Sequence, residues 1–114
     1  MRFGLSDTTI EKIKDVFSKY PELEKALIYG SRAKGNYKTG SDIDITFIGK
    51  GLNKTILGKI EDDIEDLLLP YTFDLSIFES VTNLDFIGHV NRVAQVFYEK
   101  DVPSKDHKEH LIAS

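Results

Sequence analysis

Residues 41–48 carry the pattern that most restricts the fold of this chain. The segment alternates between an apolar and a polar set, Ile43, Ile45, Phe47 and Asp42, Asp44, Thr46. Successive side chains of a β-strand point to opposite faces, so this pattern predicts a strand with one buried and one polar face. A second alternation, Phe73-Asp74-Leu75-Ser76-Ile77, predicts another strand with an aspartate on its polar face.

Segments with helical spacing separate these strands. Apolar residues recur every three or four positions from Ile10 to Tyr20, after a capping box formed by Thr8 and Glu11, and again over residues 53–68. Residues 26–29 read as a short buried strand, and residues 84–90 as a last helix. Residues 93–98 fit either an edge strand or more helix. The order predicts an α+β sandwich, a small mixed β-sheet with helices packed on one side.

Length and composition limit the function classes. The 114 residues suit one domain, predicted over residues 1–100 and followed by a polar tail over residues 101–114. The absence of cysteine excludes disulfides, thiolate zinc sites and a cysteine nucleophile. A net charge of -4 argues against general nucleic-acid binding. We find no signal peptide or membrane span in the sequence, and therefore expect a cytoplasmic protein without membrane contact.

Three aspartates are the candidate metal ligands. Asp42 and Asp44 share one face of their predicted strand, and Asp74 lies on the polar face of another. If the two strands are neighbours, three carboxylates meet, and their mutual repulsion favours a hard divalent cation such as magnesium. The alternative is that each aspartate faces solvent from a one-sided sheet. The combination of all three with the loop described next favours the metal site.

The loop after the first strand is the candidate phosphate-binding element. Gly30 allows close backbone approach to a ligand, and Ser31 would open a short helix whose N–H groups favour an anion. Arg32, Lys34 and Lys38 make this the most basic stretch of an acidic chain. A magnesium-bound triphosphate would suit the loop and the aspartates together. The alternatives are an ordinary tight turn and a solvated loop face, and the second is favoured for Lys38.

These residues together resemble the signature of the polymerase-β-like nucleotidyltransferase superfamily. More closely, the chain is similar to the minimal nucleotidyltransferase (MNT) proteins. The signature is carried by Gly30-Ser31-Arg32-Ala33-Lys34-Gly35 and Ser41-Asp42-Ile43-Asp44-Ile45. The Gly-Ser pair precedes Asp-x-Asp by the ten residues that the signature requires. Asp74, in an apolar strand after a helix, matches the third carboxylate of the superfamily.

The resemblance implies a polymerase-β-like fold and a magnesium-dependent nucleotidyltransferase. Asp42 and Asp44 would bridge two magnesium ions, and Asp74 would help to activate the acceptor hydroxyl. Gly30 and Ser31, with Arg32 beside them, would contact the triphosphate of ATP. MNT proteins commonly pair with a helical HEPN toxin. As antitoxins of type VII toxin–antitoxin systems, they transfer AMP to a tyrosine of that toxin.

Two other functions stay open on the sequence. A small-molecule nucleotidyltransferase of the aminoglycoside-modifying kind would need a separate subunit, or a homo-oligomer, to bind its acceptor. A non-catalytic module would neutralise its partner by contact alone, although retention of all three carboxylates argues against it. The sequence gives neither the acceptor nor the oligomeric state.

Overall fold

A four-stranded mixed sheet organises residues 1–100, the part of the chain that the computed structural model describes. Its strands are β1 (Lys25–Tyr29), β2 (Ile43–Ile48), β3 (Phe73–Ile77) and β4 (Gln95–Glu99). They are ordered β3-β2-β1-β4, with β2 and β3 parallel and the other pairs antiparallel. The mixed sheet predicted from sequence is confirmed. The predicted tail, residues 101–114, lies outside the described residues.

Four α-helices connect or flank these strands within residues 1–100. They are α1 (Asp7–Ser18), α2 (Gly30–Lys34), α3 (Lys54–Asp66) and α4 (Leu84–Val93), and a 3-10 turn covers Phe78–Ser80. Parallel strands need a crossover connection, and α3 supplies it between β2 and β3. The Asn53 side chain caps α3 by accepting from the Ile56 N–H at 2.9 Å. None of these helices is long and apolar enough to cross a membrane.

The main core lies between one face of the sheet and helices α1 and α3. Phe17 of α1 is fully buried and makes edge-on ring contacts with Phe47, Phe97 and Tyr98, at centroid distances of 5.2, 6.1 and 5.8 Å. The opposite face of β1 carries Tyr29, which packs edge-on against Phe86 of α4 at 5.1 Å. The α+β class is therefore confirmed, with the added finding that α4 lies on the other side of the sheet from α1 and α3.

The capping residue of α1 differs from the sequence prediction. Ser6, in an extended conformation, accepts the Thr9 N–H through its side chain at 3.1 Å, and the helix begins at Asp7. Thr8 lies inside the first turn, so the predicted Thr8 capping box is wrong. The earlier start also places the Asp7 carboxylate in the first turn, where the helix dipole favours a negative charge.

The segment that the sequence left undecided is an edge strand. Helix α4 ends at Val93, Ala94 is extended, and Gln95–Glu99 pairs with β1 in antiparallel register. The side chain of Phe97 is buried against Phe17 in the core. Pairing with β1 and this burial decide the conformation, and neither is visible in local periodicity.

We expect the two hydroxyls at the start of α1 to differ in their contribution to stability. Ser6→Ala removes the capping acceptor and should lower the free energy of unfolding by about 1 kcal/mol. Thr8→Ala should change it by only a few tenths. Chemical denaturation of both variants measures the difference, and a larger loss for Thr8→Ala would contradict the assignment of the cap.

Candidate active site

A row of three polar side chains crosses the sheet on the face opposite the main core. Asp44 of β2 is the register partner of Tyr29 on β1 and of Asp74 on β3. Directly paired residues of neighbouring strands point to the same face, so the two carboxylates lie side by side. Asp42 lies just before β2, which begins at Ile43 and not at residue 41 as predicted. The metal-site hypothesis depended on β2 and β3 being sheet neighbours, and the structure shows that they are.

Two hydroxyls fix the register that aligns the aspartates. One step further along the same face, the Ser76 hydroxyl donates to the Thr46 hydroxyl at 3.0 Å. Thr46 is fully buried, and its hydroxyl in turn donates to the Ser76 carbonyl at 3.4 Å. A slip of either strand by one residue would leave the buried Thr46 hydroxyl without these partners. The pair therefore holds Asp44 opposite Asp74.

The row concentrates negative charge. Partial burial, followed by the nearby charges of Asp74 and Asp42, raises the pKa of the Asp44 carboxyl, and the Arg32 guanidinium opposes the rise. Burial, Asp74 and Asp44 likewise raise the pKa of Tyr29 to about 12, so its hydroxyl stays protonated at neutral pH. Bringing a cation to this end of the sheet would relieve the repulsion among the carboxylates.

Gly30 brings the start of α2 directly against Asp44. Its φ is +75°, and a Cβ added at this position would collide with the Asp44 carboxylate. Glycine adopts this φ freely, and any other residue would in addition have to turn the Asp44 side chain aside. Ser31 follows in the first turn of α2, half-buried. The structure thus places Gly30 directly against the central aspartate, so the candidate phosphate-binding turn and the candidate metal ligands adjoin.

Arg32 has partners that the sequence did not reveal. Its side chain is only 3% exposed; Nε and Nη2 donate to the Ser41 carbonyl at 3.0 and 2.9 Å, and Nη1 donates to the Phe3 carbonyl at 2.9 Å. The guanidinium also lies near the rings of Tyr37 and Tyr71, at 5.3 and 5.1 Å from their centroids. Arg32 therefore ties α2 to the turn that leads into Asp42, and it does not belong to a solvated loop face.

The other basic residues of the loop are solvent-facing. Lys34 and Lys38 are exposed, which agrees with the solvated alternative for Lys38. The contact of Arg32 with a triphosphate stays a prediction. Three of the N–H groups of Arg32 already donate to backbone carbonyls, which leaves fewer donors for a phosphate.

The donor chemistry of the three aspartates fits magnesium, which prefers carboxylate oxygens. Their side chains are not yet gathered around one point: within residues 1–100, no group of three His, Cys, Asp or Glu side chains is placed to hold a metal ion. Asp42 and Asp74 are both exposed, and an exposed side chain changes rotamer at little cost. The backbone brings the three aspartates close together, and the exposed side chains of Asp42 and Asp74 have room to turn toward a shared metal ion.

Sequence reasoning missed Tyr29 as a member of the row. The ring packs edge-on against Phe86 and His89 of α4, at centroid distances of 5.1 and 6.1 Å. Helix α4 therefore covers the row at its β1 end, while Asp74 at the β3 end is exposed. The sequence position of Tyr29 could have revealed it, because this residue ends an apolar strand immediately before Gly30.

Two comparisons of sequence gave different results. A family model described as polymerase beta, nucleotidyltransferase matches residues 11–102. A comparison with curated proteins found no match.

Solved structures share the fold. A chain in a toxin–antitoxin structure with AMP-PNP is 20% identical with a TM-score of 0.64, and the match covers 96% of this chain and 91% of that one. A chain from the complex of tri-AMPylated Shewanella oneidensis HEPN toxin with MNT antitoxin is 17% identical with a TM-score of 0.62, over the same shares. A chain of an MntA–HepT toxin–antitoxin structure is 17% identical with a TM-score of 0.61, over 95% and 91%. At these identities the likeness concerns the fold.

A matched pair of glycine variants tests the contact between Gly30 and Asp44. Gly30→Ala and Gly35→Ala both place alanine at positive φ, +75° and +87°, which costs each roughly 1–2 kcal/mol. Only the Cβ at position 30 meets the Asp44 carboxylate, since nothing lies within 4 Å of the one at position 35. We expect Gly30→Ala to lower the free energy of unfolding clearly more than Gly35→Ala. Equal losses in chemical denaturation would contradict the contact.

The raised pKa of Asp44 gives a stability prediction with a definite sign. A carboxyl whose pKa is higher in the folded state destabilises the fold when ionised, and this penalty disappears as the pH falls below the pKa of the unfolded chain. In metal-free buffer at pH 8, Asp44→Asn should therefore melt a few degrees above the wild type. The effect is kept small because water screens the half-buried carboxylate. Towards pH 3 the two melting temperatures should converge.

Magnesium provides the control for this charge effect. A ligand that binds only the folded state raises the melting temperature, so magnesium should stabilise the wild type and leave Asp44→Asn unchanged. Glu11→Gln, an exposed carboxylate lost from α1, should behave as the wild type in both buffers. A lower melting temperature for metal-free Asp44→Asn would contradict the charge argument.

Proposed function

Because the chain belongs to the polymerase beta nucleotidyltransferase family, we propose that it transfers AMP from ATP to a hydroxyl of a partner protein. Membership of this family makes it a nucleotidyltransferase and confirms the resemblance found in the sequence. In the proposal the chain is a type VII antitoxin, and the acceptor is a tyrosine of a HEPN-type helical toxin. The reaction consumes ATP, and we expect it in the cytoplasm.

The solved structures that share the fold support this choice of donor and acceptor. One holds AMP-PNP, and another pairs an MNT antitoxin with a HEPN toxin that carries AMP. Their likeness extends over nearly the whole of this chain and most of each matched chain. The same core is therefore used elsewhere beside an AMPylated helical protein, which is the arrangement proposed here.

One observation within the chain carries the proposal: the register that sets Asp44 beside Asp74, with Gly30 against the Asp44 carboxylate. This arrangement supports the proposal, because the turn that would bind phosphate and the carboxylates that would bind metal lie at the same end of the sheet. The tether from Arg32 to the Ser41 carbonyl then fixes the turn that presents Asp42. The positions of Gly30, Asp44 and Asp74 support the proposal, whereas Arg32 supports it only through the turn that it anchors.

We assign the following roles to these residues. Asp42, Asp44 and Asp74 would hold magnesium, which when bound neutralises charge on the triphosphate and on the departing pyrophosphate. Gly30 and Ser31 would place backbone N–H groups and a hydroxyl against the phosphates. The acceptor oxygen bonds to the α-phosphorus as the bond to pyrophosphate breaks. A carboxylate oxygen of Asp74, on the exposed side of the row, would take the proton of the acceptor hydroxyl.

Label transfer from ATP tests the proposal. With radiolabelled ATP and magnesium, we expect the wild-type chain to label a helical protein encoded beside it and to release pyrophosphate. Asp42→Asn combined with Asp44→Asn should abolish labelling, because the double variant loses two of the three anionic ligands. Asp74→Asn should reduce the rate by about 10²-fold or more, the usual contribution of a general base.

The control for lost charge is Asp7→Asn combined with Asp15→Asn. Both residues are exposed on α1, and their loss should leave labelling unchanged. Undiminished labelling by the Asp42 and Asp44 double variant would overturn the proposal. Pyrophosphate release that depends on an aminoglycoside, with the partner unlabelled, would instead favour the small-molecule alternative.

A further inference from the structure

Leu68 combines a strained backbone conformation with an exposed apolar side chain. It follows the end of α3 with a φ of +54°, and its side chain is 87% exposed. Its N–H donates to the Glu65 carbonyl at 3.1 Å, as the residue after a helix does when it closes the last turn. This left-handed position normally belongs to glycine or asparagine, because a side chain with a Cβ is strained there. A leucine gains nothing for the isolated chain at such a place.

A groove between α3 and the edge of the sheet is lined by Leu69, the residue that follows Leu68. Its volume is about 510 Å³, and it extends from the last turns of α3 to the start of β3. Aromatic and aliphatic side chains form its floor and carboxylates line its wall, Leu69, Tyr71, Phe73 and Glu61, Asp62, Glu65. The apolar side chains are half-buried against the core and the carboxylates are exposed, a combination that suits a segment with both apolar and basic side chains.

The groove and the aspartate row share the β3 edge of the sheet but lie on opposite faces of it, because Phe73 and Leu75 point to the α3 side and Asp74 to the other. Phe73 of its floor precedes Asp74 in β3, and within residues 1–100 β3 pairs with β2 alone. Asp74 is exposed at this edge, whereas α4 covers the Tyr29 end of the row. A macromolecule that approaches the carboxylates from the β3 side therefore meets the edge strand, the groove and Leu68.

We propose that this groove, together with Leu68, docks the acceptor protein through a segment that carries apolar side chains flanked by lysine or arginine. The apolar part covers Leu68 and the aromatic floor, and the cations pair with the acidic wall. This inference rests on the proposed function, to which it adds the surface that brings the acceptor hydroxyl to Asp74. The same acidic wall on a second copy, with a net charge of -4 per chain, disfavours self-association at this place.

Leu68→Gly separates binding from folding. The substitution removes both the exposed leucine and the strain, so the melting temperature should stay level or rise. Affinity for the purified helical protein encoded beside this chain should fall by about tenfold or more, as expected for losing one buried leucine from an interface. Isothermal titration without nucleotide measures the affinity.

A charge reversal tests the acidic wall independently. Glu61→Lys with Glu65→Lys should weaken the same complex by about tenfold or more and reduce its dependence on salt. Glu11→Lys with Asp15→Lys makes an equal change of charge on exposed positions of α1 and should bind nearly as the wild type. At saturating partner, labelling by Leu68→Gly should regain the wild-type rate, because the aspartates are intact.

Every outcome separates docking from chemistry. Wild-type affinity in both groove variants overturns the docking surface even where partner labelling continues, and absence of any complex with the wild type overturns it as well. Weakened binding in the groove variants, with no labelling by the wild type, supports the surface and rejects the proposed function. Self-association that Leu68→Gly abolishes, or partner affinity that rises when residues 101–114 are deleted, would assign the groove to another occupant and overturn the proposal.

Discussion

The parallel pairing of β2 with β3 is the constraint on which the site depends. It sets Asp44 beside Asp74, an arrangement of like charges that opposes folding. The buried hydrogen bond between Ser76 and Thr46 and the crossover through α3 hold the pair in that register. Partial burial, and after it this repulsion, raises the pKa of the Asp44 carboxyl. A fold that keeps such a pair holds an incomplete electrostatic balance, which a bound cation would restore.

Arg32 places a buried positive charge near the carboxylates without taking the position that a bound cation would occupy. Its guanidinium donates to the backbone carbonyls of Ser41 and Phe3, so its hydrogen bonds are used on the frame around the carboxylates. The guanidinium charge opposes part of the rise in the pKa of Asp44, although Arg32 and Asp44 do not form an ion pair. A direct ion pair would occupy the oxygens that a metal needs. Arg32 thus positions the turn before Asp42 and leaves those oxygens available.

Alternation in the sequence was enough to find the part of the fold that matters most. The patterns over residues 43–47 and 73–77 each predicted a one-sided strand with an aspartate on its polar face. That the two strands are neighbours was only a condition in the sequence, and the structure supplies it. The cap of α1 was missed because Ser6 and Thr8 both precede the same apolar periodicity. The burial of Arg32 was missed because one partner, the Phe3 carbonyl, lies 29 residues away and backbone acceptors leave no mark in a sequence. Pairing with β1, and not local preference, decides that residues 95–99 are a strand.

Two of the local conflicts within residues 1–100 lie on opposite sides of strand β3. Asp74 projects from β3 beside another carboxylate, and Leu68 stands exposed and strained next to the groove on the strand's α3 side. Conflicts that lower the stability of the isolated chain persist where something outside the chain relieves them. A cation would relieve the first, and in our proposal an apolar partner segment would relieve the second. Because both lie at the β3 edge, one on each face of the strand, binding of the acceptor and chemistry at the carboxylates would share one edge of the sheet, away from the end that α4 covers.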